Sequence, residues 1–93
     1  MLGKRILELR SGFGWSQVEL AKRLGVAKQT VSNWENDNIQ PSIEMLIRLS
    51  RLFHVSTDYL LGLDEIPRLS IEGIPEEVVA HIALLLDDYR ARP

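Results

Sequence analysis

The stretch "SQVELAKRLGVAKQTVSNWE", Ser16 to Glu35, constrains the fold more than any other part of the chain. Leu20, Leu24, Val31 and Trp34 recur at the spacing of two short helices, and only Gly25 and its neighbours are left to join them. Helices joined this tightly cross closely, which requires a small residue at the contact, and Ala21 supplies it. The turn requires a residue that tolerates positive φ, and Gly25 does so without a Cβ penalty. Ser16 with Glu19 three residues on reads as a capping box, and Trp15 with Leu20 as a hydrophobic staple over the start of the first helix. The second helix is expected from about Ala27 to Glu35, with Val31 and Trp34 inward. Its outward positions are Lys28, Gln29, Ser32 and Asn33, side chains that either face water or donate to and accept from a polar partner.

The remaining elements are also helical. Leu2, Ile6, Leu9 and Phe13 predict a helix near residues 2–11, stopped by "SGFG", where Gly12 and Gly14 offer positive φ. Ser42 after Pro41 reads as an N-cap, with Ile43, Leu46, Ile47, Ser50 and Phe53 as the buried stripe behind it. Ser56 caps a short "TDYLL" helix closed by Gly62. Residues 63–74 read as a linker, within which "LSIE" alternates like a short strand. Pro75 at N1, followed by Glu76 and Glu77, opens a last helix to about Ala91. The class is all-α, divided as 1–62, a linker 63–74, and a C-terminal segment 75–93.

Composition excludes several functions. The 93 residues contain no cysteine, so disulfide frameworks and cysteine zinc sites are absent. His54 and His81 have no second ligand at metal spacing. His54, Ser56 and Asp58 carry the letters of a catalytic triad but crowd one helix entrance, and no oxyanion hole or phosphate-cradling glycine loop accompanies them. No catalytic residue, metal or cofactor is expected. No apolar run approaches the ~20 residues of a membrane span, and the N-terminus lacks a signal-peptide core, so the expected setting is the cytoplasm. The net charge of −2 is uneven: Met1–Gly62 holds eight Lys or Arg against six Asp or Glu, and Leu63–Pro93 three against seven. The first part is the better match for a phosphate partner.

With these residues in register, "SQVELAKRLGVAKQTVSNWEND" followed by "PSIEMLIRLSRLFHVSTDYLLG" resembles the DNA-binding domain of phage repressors and Cro proteins, the xenobiotic-response-element family. The resemblance covers residues 2–62. It implies a five-helix, lambda-repressor-like bundle, here with an additional C-terminal helix. It implies that the second helix of the pair enters the major groove of double-stranded DNA while the first crosses the phosphate backbone. By the same resemblance Lys28, Gln29, Ser32 and Asn33 would contact bases, and the chemistry agrees. Gln or Asn can bond adenine in bidentate fashion, and Lys can donate to guanine. Gln17 and Thr30 would contact phosphate, together with Asn36 and Asn38 of a loop, "NDNIQPS", that lacks the basic residues many relatives carry there. Arg10 and Glu35 match a pair that forms a salt bridge in some members, and Ala27 stands where relatives have a capping Ser or Thr.

Beyond residue 62 the resemblance fades. Val78, Ile82, Leu85 and Tyr89 recur at spacings of four, three and four, widened by Val79 and Leu86. This stripe either packs on its own bundle or is covered by a partner. Dimerisation is the expectation, because the implied bundle is already closed and repressors read two half-sites. The resulting reading is a sequence-specific transcriptional repressor, a homodimer on a near-palindromic operator. The alternative is an antitoxin-like or anti-repressor-controlled module whose C-terminal segment binds a second, regulatory protein.

Overall fold

A computed structural model describes residues 1–92. Six helices follow in order: α1 Leu2–Gly12, α2 Gln17–Leu24, α3 Lys28–Glu35, α4 Ile43–Phe53, α5 Thr57–Leu60 and α6 Glu76–Arg90. Local signals set most boundaries. The hydroxyls of Ser16, Ser42 and Ser56 each accept the N–H of the residue three positions on, starting α2, α4 and α5. Between α2 and α3, Gly25 is left-handed (φ 69°). Its N–H donates to the Lys22 carbonyl at 3.2 Å, and that of Val26 to the Ala21 carbonyl at 3.0 Å. This is a Schellman closure, which satisfies two helix-end carbonyls and turns the chain in one step.

The core is built from α1 to α5. Ile6, Leu20, Val31, Leu49 and Phe53 are wholly buried, with Ala21, Leu24, Trp34 and Leu60 nearly so. Trp15 lies half-buried against this core, stacked on Phe53 with ring centroids 5.9 Å apart, and the Arg23 guanidinium covers it at 4.1 Å.

Several local expectations are corrected. Gly12 is helical, and Gly14 (φ 74°) makes the turn instead. Glu19 does not close the capping box; its carboxylate pairs with Arg23 at 3.1 Å, one helical turn on. Of the expected α4 stripe, Phe53 is buried and Leu46 and Ser50 are half-buried, but Ile43 and Ile47 face solvent, and Leu49 is buried in their stead with Met45 and Leu52 packed at the edge. A periodicity of 3.6 fits two neighbouring stripes on a helix this apolar, and only tertiary contact selects one. "LSIE" forms no strand, for no neighbouring strand exists among the described residues to pair with it. Pro75 is the N-cap of α6 rather than its first residue.

One close approach was not legible beforehand. Gly3 is buried, and its N–H donates to Asp37 Oδ1 at 3.0 Å, so the loop after α3 caps α1. A Cβ at Gly3 would collide with the Trp34 carbonyl and lie 2.6 Å from the Glu35 carbonyl oxygen. Gly3→Ala gains ~1 kcal/mol of helix propensity. Pushing two backbone segments apart costs about 1–3 kcal/mol or more. The expected net result is a loss of stability. A denaturation midpoint at or above that of the unsubstituted chain would show that α1 and α3 are not in backbone contact.

Candidate nucleic-acid interface

Val31 and Trp34 pin α3 to the bundle, so the rotation of the helix is fixed and its opposite face is fixed with it. That face carries Lys28 and Gln29, exposed, and Ser32 and Asn33, half-buried. Gln29 Nε2 donates to Asn33 Oδ1 at 3.1 Å, so two of the residues singled out from sequence form one amide pair, one turn apart. The pair leaves Gln29 Oε1 to accept and Asn33 Nδ2 to donate. Ser32 Oγ accepts from Asn36 Nδ2 at 3.4 Å. Thr30 is half-buried beside them, and Asn36 and Asn38 are exposed in the loop. The Asn33 carbonyl accepts the N–H groups of Asn38 and Ile39, which folds that loop back on the helix end. Ala27 caps α3 by backbone shape alone (φ −75°, ψ 151°), without a side-chain bond.

Behind the face lies a buried polar network. The Arg10 guanidinium meets Glu35 at two points, Nε–Oε2 2.6 Å and Nη2–Oε1 3.0 Å, and also donates from Nη1 to the Trp15 carbonyl at 2.8 Å. The side chains of Arg10 and Glu35 are only 13% and 4% exposed. This is therefore not the exposed kind of pair whose contribution is small. The hydrogen bonding that Arg10 donates to Glu35 raises the Arg10 pKa above its ordinary value; burial opposes this and the carboxylate's charge adds to it. Gln17 completes the network: its Nε2 donates to Glu35 Oε1 at 3.0 Å. One amide hydrogen is thus spent inside, and the second has no acceptor among the described residues. Sequence reasoning placed Gln17 as a surface contact and missed its inward bond. A single chain carries no signal linking Gln17 to a residue 18 positions on.

Asp37 is likewise tied to a distant element. It stands in the left-handed region (φ 57°), and its carboxylate is occupied by the Gly3 N–H, as well as by the Met1 ammonium at 3.4 Å. Among the described residues no cluster of three or more metal-ligating side chains occurs, and no helix is long and apolar enough to cross a membrane.

A family description for helix-turn-helix domains matches residues 6–60. The chain belongs to the helix-turn-helix family of transcriptional regulators. Its members are DNA-binding, non-enzymatic proteins, and the chain shares their lambda-repressor-like fold. It is 45% identical over 67 residues to the transcriptional regulator ImmR of Bacillus subtilis, covering 72% of this chain and 53% of ImmR. The chain thus spans about half the length of that relative. Among solved structures it is similar to the P22 c2 repressor, crystallised with a synthetic operator. The TM-score is 0.65 at 36% identity, over 69% of this chain and 97% of the repressor. It is also similar to a chain of the SinR–SinI complex, with a TM-score of 0.60 at 25% identity, over 99% of this chain and all of that one. The helix-turn-helix pair α2–α3 is therefore the DNA-binding element of a transcriptional regulator.

Proposed function

We propose that this regulator is a repressor that binds a near-palindromic operator as a homodimer. Lys28, Gln29, Ser32 and Asn33 would read bases in the major groove. Gln17, Thr30, Asn36 and Asn38 would hold phosphates. The observation that carries this reading is the polar face of α3, fixed by Val31 and Trp34, in a fold shared with a repressor solved on operator DNA. The Gln29–Asn33 pair offers one acceptor and one donor side by side, the pattern that adenine N6 and N7 demand. Repression would follow from occupancy, the bound dimer excluding polymerase or a competing regulator. The phosphate set is mostly neutral, and the loop after α3 holds no Lys or Arg. Few counterions would be released and the salt dependence should be shallow.

Selection from random duplexes with the purified protein tests the reading, and a palindromic consensus is the expected result. Gln29→Ala and Asn33→Ala should each weaken the selected site by roughly 1–3 kcal/mol and relax preference at one or two base positions per half-site. Because the two amides are bonded to each other, the double variant should lose less than the two single losses combined. Lys28→Ala separates two roles: uniform weakening with a salt slope smaller by about one marks a phosphate contact. Undiminished affinity in all three variants would remove α3 from the interface.

The dimer rests on α6. Val78, Ile82, Leu85, Leu86 and Tyr89 are all exposed, and Val79 is half-buried; no residue of the helix is buried on its own bundle. An isolated helix of this length is marginal in water, so a partner that covers the stripe would supply its stability. A second reading takes that partner to be another protein. It draws support from the similarity of nearly the whole chain to a chain of the SinR–SinI complex. A stoichiometric heterocomplex recovered in place of a dimer would favour it.

A further inference from the structure

The end of α4, the turn into α5 and the segment after α5 enclose a hollow of about 400 Å³. Its polar lining is Ser50, Arg51, His54 and Ser56 from the bundle, with Arg68 and Ser70 from residues 63–74. These groups donate far more than they accept. Arg51 has no carboxylate within 4.0 Å among the described residues. Arg68 bonds to Asp64 and to the Ile66 carbonyl through Nη1 alone, which leaves Nε and Nη2 to donate elsewhere. Ser56 Oγ accepts the Tyr59 N–H at 3.0 Å and Ser70 Oγ the Glu72 N–H at 3.3 Å, so each hydroxyl keeps its own hydrogen to give. Ser50 spends its hydrogen on the Ile47 carbonyl. A second hollow, of about 330 Å³, shares Arg51 and adds Arg23 and Arg48. Among the described residues no Asp or Glu lines either hollow, in a chain with 13 acidic residues against 11 Lys and Arg. His54 adds a conformational argument. It closes α4 in the left-handed region (φ 58°), the place that Gly25 takes at the end of α2 (φ 69°). Glycine is unstrained there, while a residue with a Cβ is not. The strained backbone sets an imidazole in the wall of the hollow.

We infer that this hollow is an effector site for a phosphorylated small molecule, held between the guanidinium groups of Arg51 and Arg68 with His54, Ser56 and Ser70 donating to the remaining oxygens. A lining rich in donors and poor in acceptors is the complement of a phosphate group, and the planar fork of arginine meets phosphate oxygens two at a time. The hollow lies within the ~300–1,000 Å³ of small-ligand sites, which is more room than one phosphate group needs. Arg51 continues the run of donors toward Arg48 in the neighbouring hollow, so the site favours a ligand with more than one phosphate. None of the residues assigned to bases or to DNA phosphates lines either hollow, which makes the site separate from the α3 face. Its walls come from both sides of a join: Arg51, His54 and Ser56 belong to the bundle, Arg68 and Ser70 to the segment that leads into α6. A bound phosphate group bonds to both sides and holds that segment against α4, so occupancy governs how firmly α6 is set on the bundle.

The test is calorimetric titration of the full chain at fixed ionic strength with inorganic phosphate, pyrophosphate and ADP. Saturable one-to-one binding is expected, tighter for pyrophosphate than for phosphate, and ADP reports whether a nucleoside is accepted beside the phosphates. Arg51→Gln and Arg68→Gln should each weaken pyrophosphate roughly tenfold or more, the loss of one charge-assisted contact. Both arginines are exposed, so melting curves serve as the folding control. Arg90→Gln removes the same charge from α6, away from the hollow, and should leave binding unchanged. His54→Gly should weaken binding while the melting temperature holds or rises, because glycine relieves the left-handed position. Bound pyrophosphate should also raise the hydrogen-exchange protection of residues 68–72. No saturable binding of any of the three probes overturns the inference, and so does an equal loss in Arg90→Gln, which would reduce the effect to net charge. Arg51→Gln and Arg68→Gln variants that lose affinity for operator DNA, in a chain that binds none of the probes, would also overturn it and make these arginines DNA contacts.

Discussion

Glu35→Ala should cost about 3–5 kcal/mol of folding stability, because it leaves the Arg10 guanidinium buried with no counter-charge. A domain of this size has roughly 5–15 kcal/mol in total. A loss of that order should therefore lower the melting temperature by roughly 15 °C or more. The cost exceeds that of an exposed pair because three donors converge on one carboxylate: Arg10 Nε, Arg10 Nη2 and Gln17 Nε2. Glu35→Gln keeps an acceptor but loses the charge and should fall between. Replacing Arg10 and Glu35 together by leucine or methionine should restore much of the loss, since the expensive state is the unpaired charge and not the missing pair. Chemical denaturation of the three variants beside the unsubstituted chain decides the matter. A loss below about 1 kcal/mol for Glu35→Ala would mean that water reaches the pair. The same variant frees the Gln17 amide from its inward bond, so binding to phosphate should weaken even under conditions where the domain remains folded.

Residues close in sequence made their own structure legible. Ser16, Ser42 and Ser56 each act within one helical turn, and Gly25 acts within the turn it makes, so the α2–α3 crossing could be derived from spacing alone. What escaped was set by distant contact. The α4 stripe is legible only in part because Ile43 and Ile47 are as apolar as Leu49, and only tertiary contact selects between them. Nothing near Gly3 in sequence marks it as the place where the α1 backbone meets the end of α3. Nor does anything near Asp37 in sequence mark its carboxylate as the cap of α1, whose Gly3 N–H it accepts from 34 residues away. The outward face of α3 was readable because burial of Val31 and Trp34 dictates it. That Gln29 and Asn33 are bonded to each other depends on rotamers, on which a residue pattern is silent.

Leu85→Asp should separate the reading head from its avidity. Leu85 is 68% exposed on its own chain, so a charge there meets water in the monomer and the five-helix core should melt as before. In a dimer the same side chain would be enclosed, and an unpaired carboxylate there is too costly for the interface to persist. The variant should therefore sediment as a folded monomer. Each monomer retains Lys28, Gln29, Ser32 and Asn33 on an intact α3, so its affinity for a single half-site should match that of the unsubstituted chain. Affinity for the full operator should drop by about 10²–10⁴-fold, because the second half-site is no longer presented at high effective concentration. Titrating both proteins on full and half operators measures the two quantities together. Equal losses on both would mean that the substitution has damaged the reading head. A variant that still sediments as a tight dimer would place the interface away from α6, and a drop in the melting temperature of the core would mean that α6 packs on its own bundle.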